Sequence, residues 1–380
     1  MKKSPVDIER LLGRLFLIGL SSLLAFMAVE GISRKFLHPE VALIEKQYTA
    51  KNIRRPRPYI MFKGTPHAKA WKIKYVKSGL GDRVLNDLGY PGQAPVMPKP
   101  PGEFRIIVVG GSAAFMGYPA IPRLIQYQFE KEGCAQVKVY NFAVVSSVST
   151  MELARIVFEA LDYNPDMIIS YSGFNDIDQP LAADPRPGYP FNYFIYESNP
   201  LLESNLKDYP LLPLLAYGSH LARVFAPGYF LKNFADLETL RRQSGYGTTA
   251  WQEAIAETYV SNLVKSDKIA RAFGARFIAF FQPSLYFKDV PTPEERDHMK
   301  QKHARHARRL RQMILARART AGEKEGLRFI DLSDFFKGKN ETVFRDRVHI
   351  GHRQRPAIAR EIYRHVLRLM EEDSHGDPCP

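Results

Sequence analysis

The sequence predicts an α/β fold on a doubly wound, mainly parallel five-stranded sheet, preceded by a membrane-crossing helix. Three observations carry that expectation. Five short runs rich in β-branched or aromatic residues (105–109, 137–144, 166–171, 276–281 and 327–331) lack polar alternation, as strands covered on both faces do. Helical segments at 121–132, 149–162, 250–273, 293–325 and 354–371 alternate with them, and strand-then-helix repetition winds a parallel sheet between helical layers. An uncharged run, Leu15 to Val29, lies near the N-terminus.

That run alone is short of the about 20 residues a membrane span needs. Extended to Leu11–Ser33, it contains only Arg14 and Glu30 as charges, both near its ends, where long side chains reach the interface. Lys2, Lys3, Arg10 and Arg14 precede it and favour a cytoplasmic N-terminus with the remainder exported, a bias that Arg34 and Lys35 oppose. Ala25 and Ala28 are flanked by Phe26, Met27 and Val29, so no small-x-small cleavage site stands out. Residues 1–33 therefore read as an uncleaved signal-anchor of the plasma (inner) membrane, with a cleaved signal peptide as the main rival and a buried or interfacial helix as the third reading. Residues 34–103 read as a connector, with RRPRP at 54–58 and the linker-like PGQAPVMPKPPG at 91–102. The α/β domain follows over 104–372, with a short tail at 373–380. Residues 177–249, rich in Pro, Tyr, Phe and Leu, break the alternation. They read as an insertion that shapes a cleft or partner surface, or as a structural cap over the sheet.

Composition narrows the partners. The chain is 45% apolar and 25% charged, a globular balance. Its net charge of +14 favours anionic partners. Between Arg296 and Lys324, ten basic residues face only Asp297 and Glu323. That segment reads as a solvated helix face, or as a contact for lipid head groups or an anionic glycan. No nucleic-acid motif accompanies it. His303 and His306 lie at i, i+3 within it without an evident further ligand, so no metal is expected. Two cysteines, Cys134 and Cys379, are too few for a disulfide framework or a cysteine zinc site and leave the redox compartment open. Cys134 reads as a buried helix residue.

Four residue groups carry chemistry. Gly110-Gly111-Ser112 ends the first strand, where glycines turn the backbone and a serine becomes a candidate nucleophile. Asn141 through Ser146-Ser147 ends the second, and a backbone N–H there can face an oxyanion. Ser172-Gly173-Phe174-Asn175-Asp176 ends the third, offering a side-chain amide donor. In Asp346-Arg347-Val348-His349, a carboxylate three residues before a histidine can fix the imidazole tautomer. Taken singly, each group is also an ordinary turn, cap or strand end. GxGxxG and the P-loop lysine are absent, and no cofactor is indicated.

In order, the four groups resemble the SGNH (GDSL) hydrolase superfamily over roughly 104–370, the insertion excluded. The resemblance implies a flavodoxin-like three-layer α/β/α sandwich. It implies Ser112 as nucleophile, His349 as general base and Asp346 as its orienter. The oxyanion hole would comprise the backbone N–H groups of Ser112 and Ser146 and the side-chain amide of Asn175. Two positions depart from the family pattern: Gly111 stands where the family carries Asp, and Ser146 where it carries Gly. The stretches Asn86–Gly92 and Gln282–Leu285 are similar to ones in membrane-anchored bacterial members associated with cell-surface polysaccharide. The expected protein is a periplasmic, single-pass serine esterase acting on a carbohydrate-linked acyl ester. An O-acyltransferase moving an acyl group from a membrane donor protein to a polysaccharide hydroxyl is the second reading. A non-catalytic binding or scaffold protein of a polysaccharide assembly complex is the third.

Overall fold

The structure, a computed structural model, describes residues 5–36, 55–67, 85–117, 119–190, 193, 219–225, 237–299 and 301–372. The chain forms two compact units, 1–46 with 194–236, and 47–193 with 237–380. Residues 191–192, 194–218 and 226–236 of the insertion expected at 177–249 lie outside the described residues.

In the first unit, α1 (Pro5–Phe36) presents exposed leucines, isoleucines and phenylalanines along its length. Its segment Glu9–Phe36 is long and apolar enough to cross a membrane. Near its end, Glu30 accepts hydrogen bonds from the Ser219 hydroxyl at 3.1 Å and the Leu221 N–H at 3.2 Å, at the start of the short helix His220–Phe225.

The second unit holds the α/β domain. β1 (Arg55–Arg57) and β2 (Met61–Lys63) pair antiparallel ahead of it. The sheet proper consists of β3 (Phe104–Gly110), β4 (Val137–Asn141), β5 (Met167–Ser172), β6 (Arg276–Phe281) and β7 (Phe329–Asp331). All neighbours are parallel in the order β4-β3-β5-β6-β7. This is the flavodoxin order, in which the first strand sits between the second and third. β5 is buried along its whole length and β3 at all but its first residue, as their apolar runs require.

The helices divide between the two faces. The short α2 (Ser112–Phe115) leaves β3 and α3 (Ile121–Lys131) follows it, while on one face lie α4 (Ser149–Arg155), α5 (Phe174–Ala182), α6 (Thr249–Ala272) and α7 (Gln301–Glu325). On the other, α3 and α8 (Arg355–Glu371) pack Ile121, Ile125 and Phe129 against Ile358, Ile362 and Val366 over Ile106, Val108 and Ile169. Two apolar cores, one on each side of the sheet, complete the three layers.

Four segments differ from their expected course. The second strand stops at Asn141, whose side chain accepts from the Ala143 N–H at 3.0 Å and donates to the Ala114 carbonyl at 3.2 Å. The chain still runs beside β3, through Phe142 N–H to Val108 O at 2.8 Å and Val144 N–H to Gly110 O at 3.0 Å. The helix expected at 149–162 passes after Arg155 into a π turn, Ile156–Ala160, whose Glu159 meets Lys63 at 2.5 Å and the Tyr90 hydroxyl. The helix expected from 293 breaks into Pro293–Arg296 and α7. Glu295 in the first piece is engaged by Lys288 and by loop amides. Residues 85–92 are part of the domain wall, with Leu85 and Tyr90 buried and the Tyr90 ring 4.4 Å from that of Phe142.

Part of the basic run is engaged within the domain, while Lys302, Arg305, Arg319 and Lys324 are exposed. Arg311 bonds Asp331 at 2.8 Å and Asp334 at 2.6 Å, Arg317 bonds Glu257 at 3.1 Å, and Arg308 donates to the Tyr286 carbonyl at 2.9 Å. Cys134 is buried and disulfide-bonded. Cys379, the other cysteine of the sequence, lies outside the described residues.

Candidate active site

A strand order that reverses direction leaves a crevice beyond the carboxyl ends of the strands on either side of the reversal. Here those are β3 and β5. Ser112 follows β3 directly as the first residue of α2, and Asn175 follows β5 as the second residue of α5.

The residues after 343 fold back as a tight hairpin. Phe344 bridges Ile350, the Arg345 N–H donates to the His349 carbonyl at 2.8 Å, and the Gly351 N–H to Val343 at 2.7 Å. Asp346 closes the turn, its Oδ1 accepting from the N–H groups of Val348 at 2.8 Å and His349 at 2.9 Å. Its other oxygen is 2.6 Å from His349 Nδ1, and His349 Nε2 is 2.8 Å from Ser112 Oγ. Burial opposes ionisation of Asp346. The hydrogen bond and charge of His349 and the two backbone donors override it and hold the carboxyl well below the usual carboxylate range. An ionised Asp346 makes Nδ1 the protonated nitrogen, which leaves Nε2 to accept the Ser112 hydroxyl proton.

The opposite wall is built from backbone and packing. Ser146 adopts a left-handed conformation at φ 59°. Such a conformation costs a non-glycine residue roughly 1–2 kcal/mol. Gln179 Nε2 holds it by donating to the Ser146 carbonyl at 2.8 Å. Asn175 Nδ2 donates to the Ser147 carbonyl at 2.7 Å. A primary amide carries two N–H donors, so the second remains for a ligand. Gly173 leads into α5 at φ 109°, with the Phe281 ring 2.3 Å from where a β-carbon would stand.

Gly111 meets the same wall. A β-carbon on residue 111 would come within 2.5 Å of Asn175 Nδ2. Gly111 therefore provides the space that the Asn175 amide fills.

Behind this wall lies a buried polar cluster that sequence reasoning missed. Asp176 accepts from the Ser149 hydroxyl at 2.5 Å and the Ser149 N–H at 3.0 Å. Arg155, fully buried, donates to the Ser147 hydroxyl at 3.1 Å. Glu152 accepts from Ser170 at 2.9 Å. Burial, with the charge of Asp176 beside it, raises Glu152 to about 7, and burial raises Asp176 to about 6. The fall of charged residues on α4 at helical spacing from Ser149 was the available signal. Asp178 and Arg347, which pair at 2.7 Å beside the site, were missed as well. Arg347 lies inside the Asp-x-x-His motif itself.

His306 bonds Gln252 at 2.9 Å, and burial pushes it down to about 4. Among the described residues, no three His, Cys, Asp or Glu side chains converge as metal ligands.

No protein-family profile and no curated protein matches the sequence. Solved structures similar to this chain include an acetyl xylan esterase at 12% identity, covering 69% of this chain and 99% of that one with a TM-score of 0.41. A catalytic mutant of an acetylxylan esterase from Geobacillus stearothermophilus matches at 10% identity over 69% of this chain and 93% of that one, TM-score 0.40. A lipase/acylhydrolase from Enterococcus faecalis matches at 15% identity over 69% and 95%, TM-score 0.38.

Proposed function

We propose that this protein is a serine-dependent ester hydrolase, anchored in the membrane by α1, that acts on an acylated cell-surface glycan outside the cytoplasm. One observation carries the reading: the relay Asp346–His349–Ser112, with contacts of 2.6 and 2.8 Å at the crevice beyond β3.

Ser112 Oγ attacks the acyl carbon while its proton passes to His349 Nε2. The resulting oxyanion accepts from the N–H groups of Ser112 and Ser146 and from Asn175 Nδ2. As the carbon–oxygen bond to the sugar breaks, His349 returns the proton to the leaving alcohol and an acyl-enzyme remains. Water then adds to the acyl carbon, His349 takes its proton, and the carboxylic acid leaves as Ser112 is reprotonated. The sugar as substrate rests on the sequence resemblance of residues 86–92 and 282–285. The extracytoplasmic site rests on the apolar helix, the basic N-terminus and the disulfide at Cys134, which suits an oxidising compartment.

The full chain in detergent, treated with a fluorophosphonate probe, should gain the adduct mass on Ser112, and Ser112→Ala should not. Wild type that neither gains the adduct nor turns over p-nitrophenyl acetate would support the scaffold reading instead. Product analysis with an added sugar acceptor separates hydrolysis from acyl transfer. A periplasm-active reporter fused after Pro380 should be on.

A further inference from the structure

Ser112, Asn175 and His349 come from three separate elements, and only the first two are joined directly to strands of the sheet. The hairpin bearing His349 belongs to no strand of that sheet, yet it presents Nε2 at 2.8 Å from Ser112. A displacement of about 1 Å at such a relay can cost 10²-fold in rate. Something must hold the hairpin in register.

Its base is fixed by a fully buried ion pair. Glu295 accepts from the N–H groups of Val343 at 2.8 Å and Phe344 at 2.9 Å while Lys288 bonds it at 2.5 Å. Its two flanks are fixed by arginines. On one flank, Arg347 Nη1 reaches both oxygens of Asp178, at 2.7 and 2.8 Å. Asp178 stands on α5 one turn after Asn175, so the two share a face. Tyr286 steadies the pair by donating to Asp178 at 3.0 Å, and the Arg347 carbonyl accepts from the Leu285 N–H at 3.0 Å. On the other flank, Arg355 is 8% exposed. Its Nε donates to the Ile350 carbonyl at 3.2 Å and its Nη1 to the Pro119 carbonyl at 2.9 Å. Ile350 adjoins His349, and Pro119 lies in the loop leaving α2, the helix that begins with Ser112. No carboxylate among the described residues pairs with Arg355.

We propose that Arg347 and Arg355 are positioning residues that clamp the general-base hairpin from both sides, Arg347 to the helix bearing Asn175 and Arg355 to the loop of the nucleophile. Burying a guanidinium is costly, and no acid among the described residues offsets that cost for Arg355. What Arg355 gains is a rigid fork that spans two acceptors on different elements, which the point charge of a lysine does not reproduce, while Arg347 holds both oxygens of one carboxylate through a single Nη1. Their roles rest on the assignment of Ser112 and His349 above.

The test uses the full chain in detergent with p-nitrophenyl acetate. Arg347→Gln, Asp178→Asn and Arg355→Lys should each lower kcat by about 10- to 100-fold with KM little changed. The double variant Asp178→Asn/Arg347→Gln should be no slower than its worse single parent, because one link is broken in all three. Amide hydrogen exchange at Arg345, Val348 and His349 should accelerate while the β5 amides keep their protection. Where Arg347→Gln fails to fold, Asp178→Asn breaks the same link from the other side and supplies the same readouts. An unchanged kcat, a rise in KM at constant kcat, or losses that multiply in the double variant would overturn the clamp. If wild type is neither labelled nor active, the esterase reading fails, and hydrogen exchange alone decides whether the hairpin is clamped.

Discussion

The two walls of the crevice are made differently. The wall proposed to supply the base is a set of side-chain contacts within one short hairpin, closed by Asp346 on its own backbone and completed by Ser112. The wall proposed to face the oxyanion has almost no side-chain relay. It rests on a serine in a glycine-like conformation, on one amide seated against a glycine, and on a buried pair of acids behind them. Chemistry that moves a proton needs named side chains at hydrogen-bond range. Chemistry that receives a charge needs donors held still, and packing does that holding.

Breaking the base wall should have the largest effect. Ser112→Ala and His349→Gln should each lower kcat at least about 10³-fold, read by ester turnover with the fold checked by circular dichroism. Next comes the amide of the other wall. Asn175→Ala should cost about 10²–10³ in kcat with little change in KM. Comparable losses in KM would move Asn175 from the oxyanion to substrate binding.

Gly111→Ala sharpens the contrast. Its methyl group would meet Asn175 Nδ2, so kcat should fall about 10- to 100-fold. Combined with Asn175→Ala, it should add nothing, since both act through one amide. An independent loss in the double variant would show that residue 111 acts on Ser112 directly.

The acid pair makes a pH prediction. Glu152 and Asp176 have ordinary values of 4.5 and 3.8 and are raised to about 7 and about 6 in the fold. Between those limits the folded state keeps protons that the unfolded chain has released. Their contribution to stability is therefore complete below about pH 4 and is lost as pH rises through 6 and 7. Thermal unfolding should show this decline, and Glu152→Gln should flatten it, with its largest gain in Tm near pH 8. The smallest effect belongs to Ser146→Gly. It relieves the left-handed strain but adds chain entropy to the unfolded state, for a net gain below about 1 kcal/mol measured by denaturant unfolding.

Much of the sheet was legible because the strand signal is local. The run at 276–281 is buried at every residue but the first, and β6 spans the same residues. The short helices α2 and α5 were not legible, since four and nine residues present too few turns for an apolar stripe to repeat. The end of β4 turned on one side chain, Asn141, bonding its own neighbourhood. Ser112, Asp346 and His349 could be named because their motifs leave marks in adjacent residues and, taken in order, resemble those of the SGNH superfamily. Arg355 and Asp178 left none. Each matters through a partner far away in sequence, Arg355 through Pro119 and Asp178 through Arg347.

The sequence by itself determined which segments become strands, which ends of them carry polar residues, and that the N-terminal helix is apolar enough for a membrane. These follow from patterns that neighbouring residues impose on one another. The tertiary structure decided that β3 lies between β4 and β5, that Asn175 fills the space beside Gly111, and that two arginines flank the hairpin. Those outcomes depend on volume and on pairing between distant residues, and packing settles such pairings only after the chain has closed on itself.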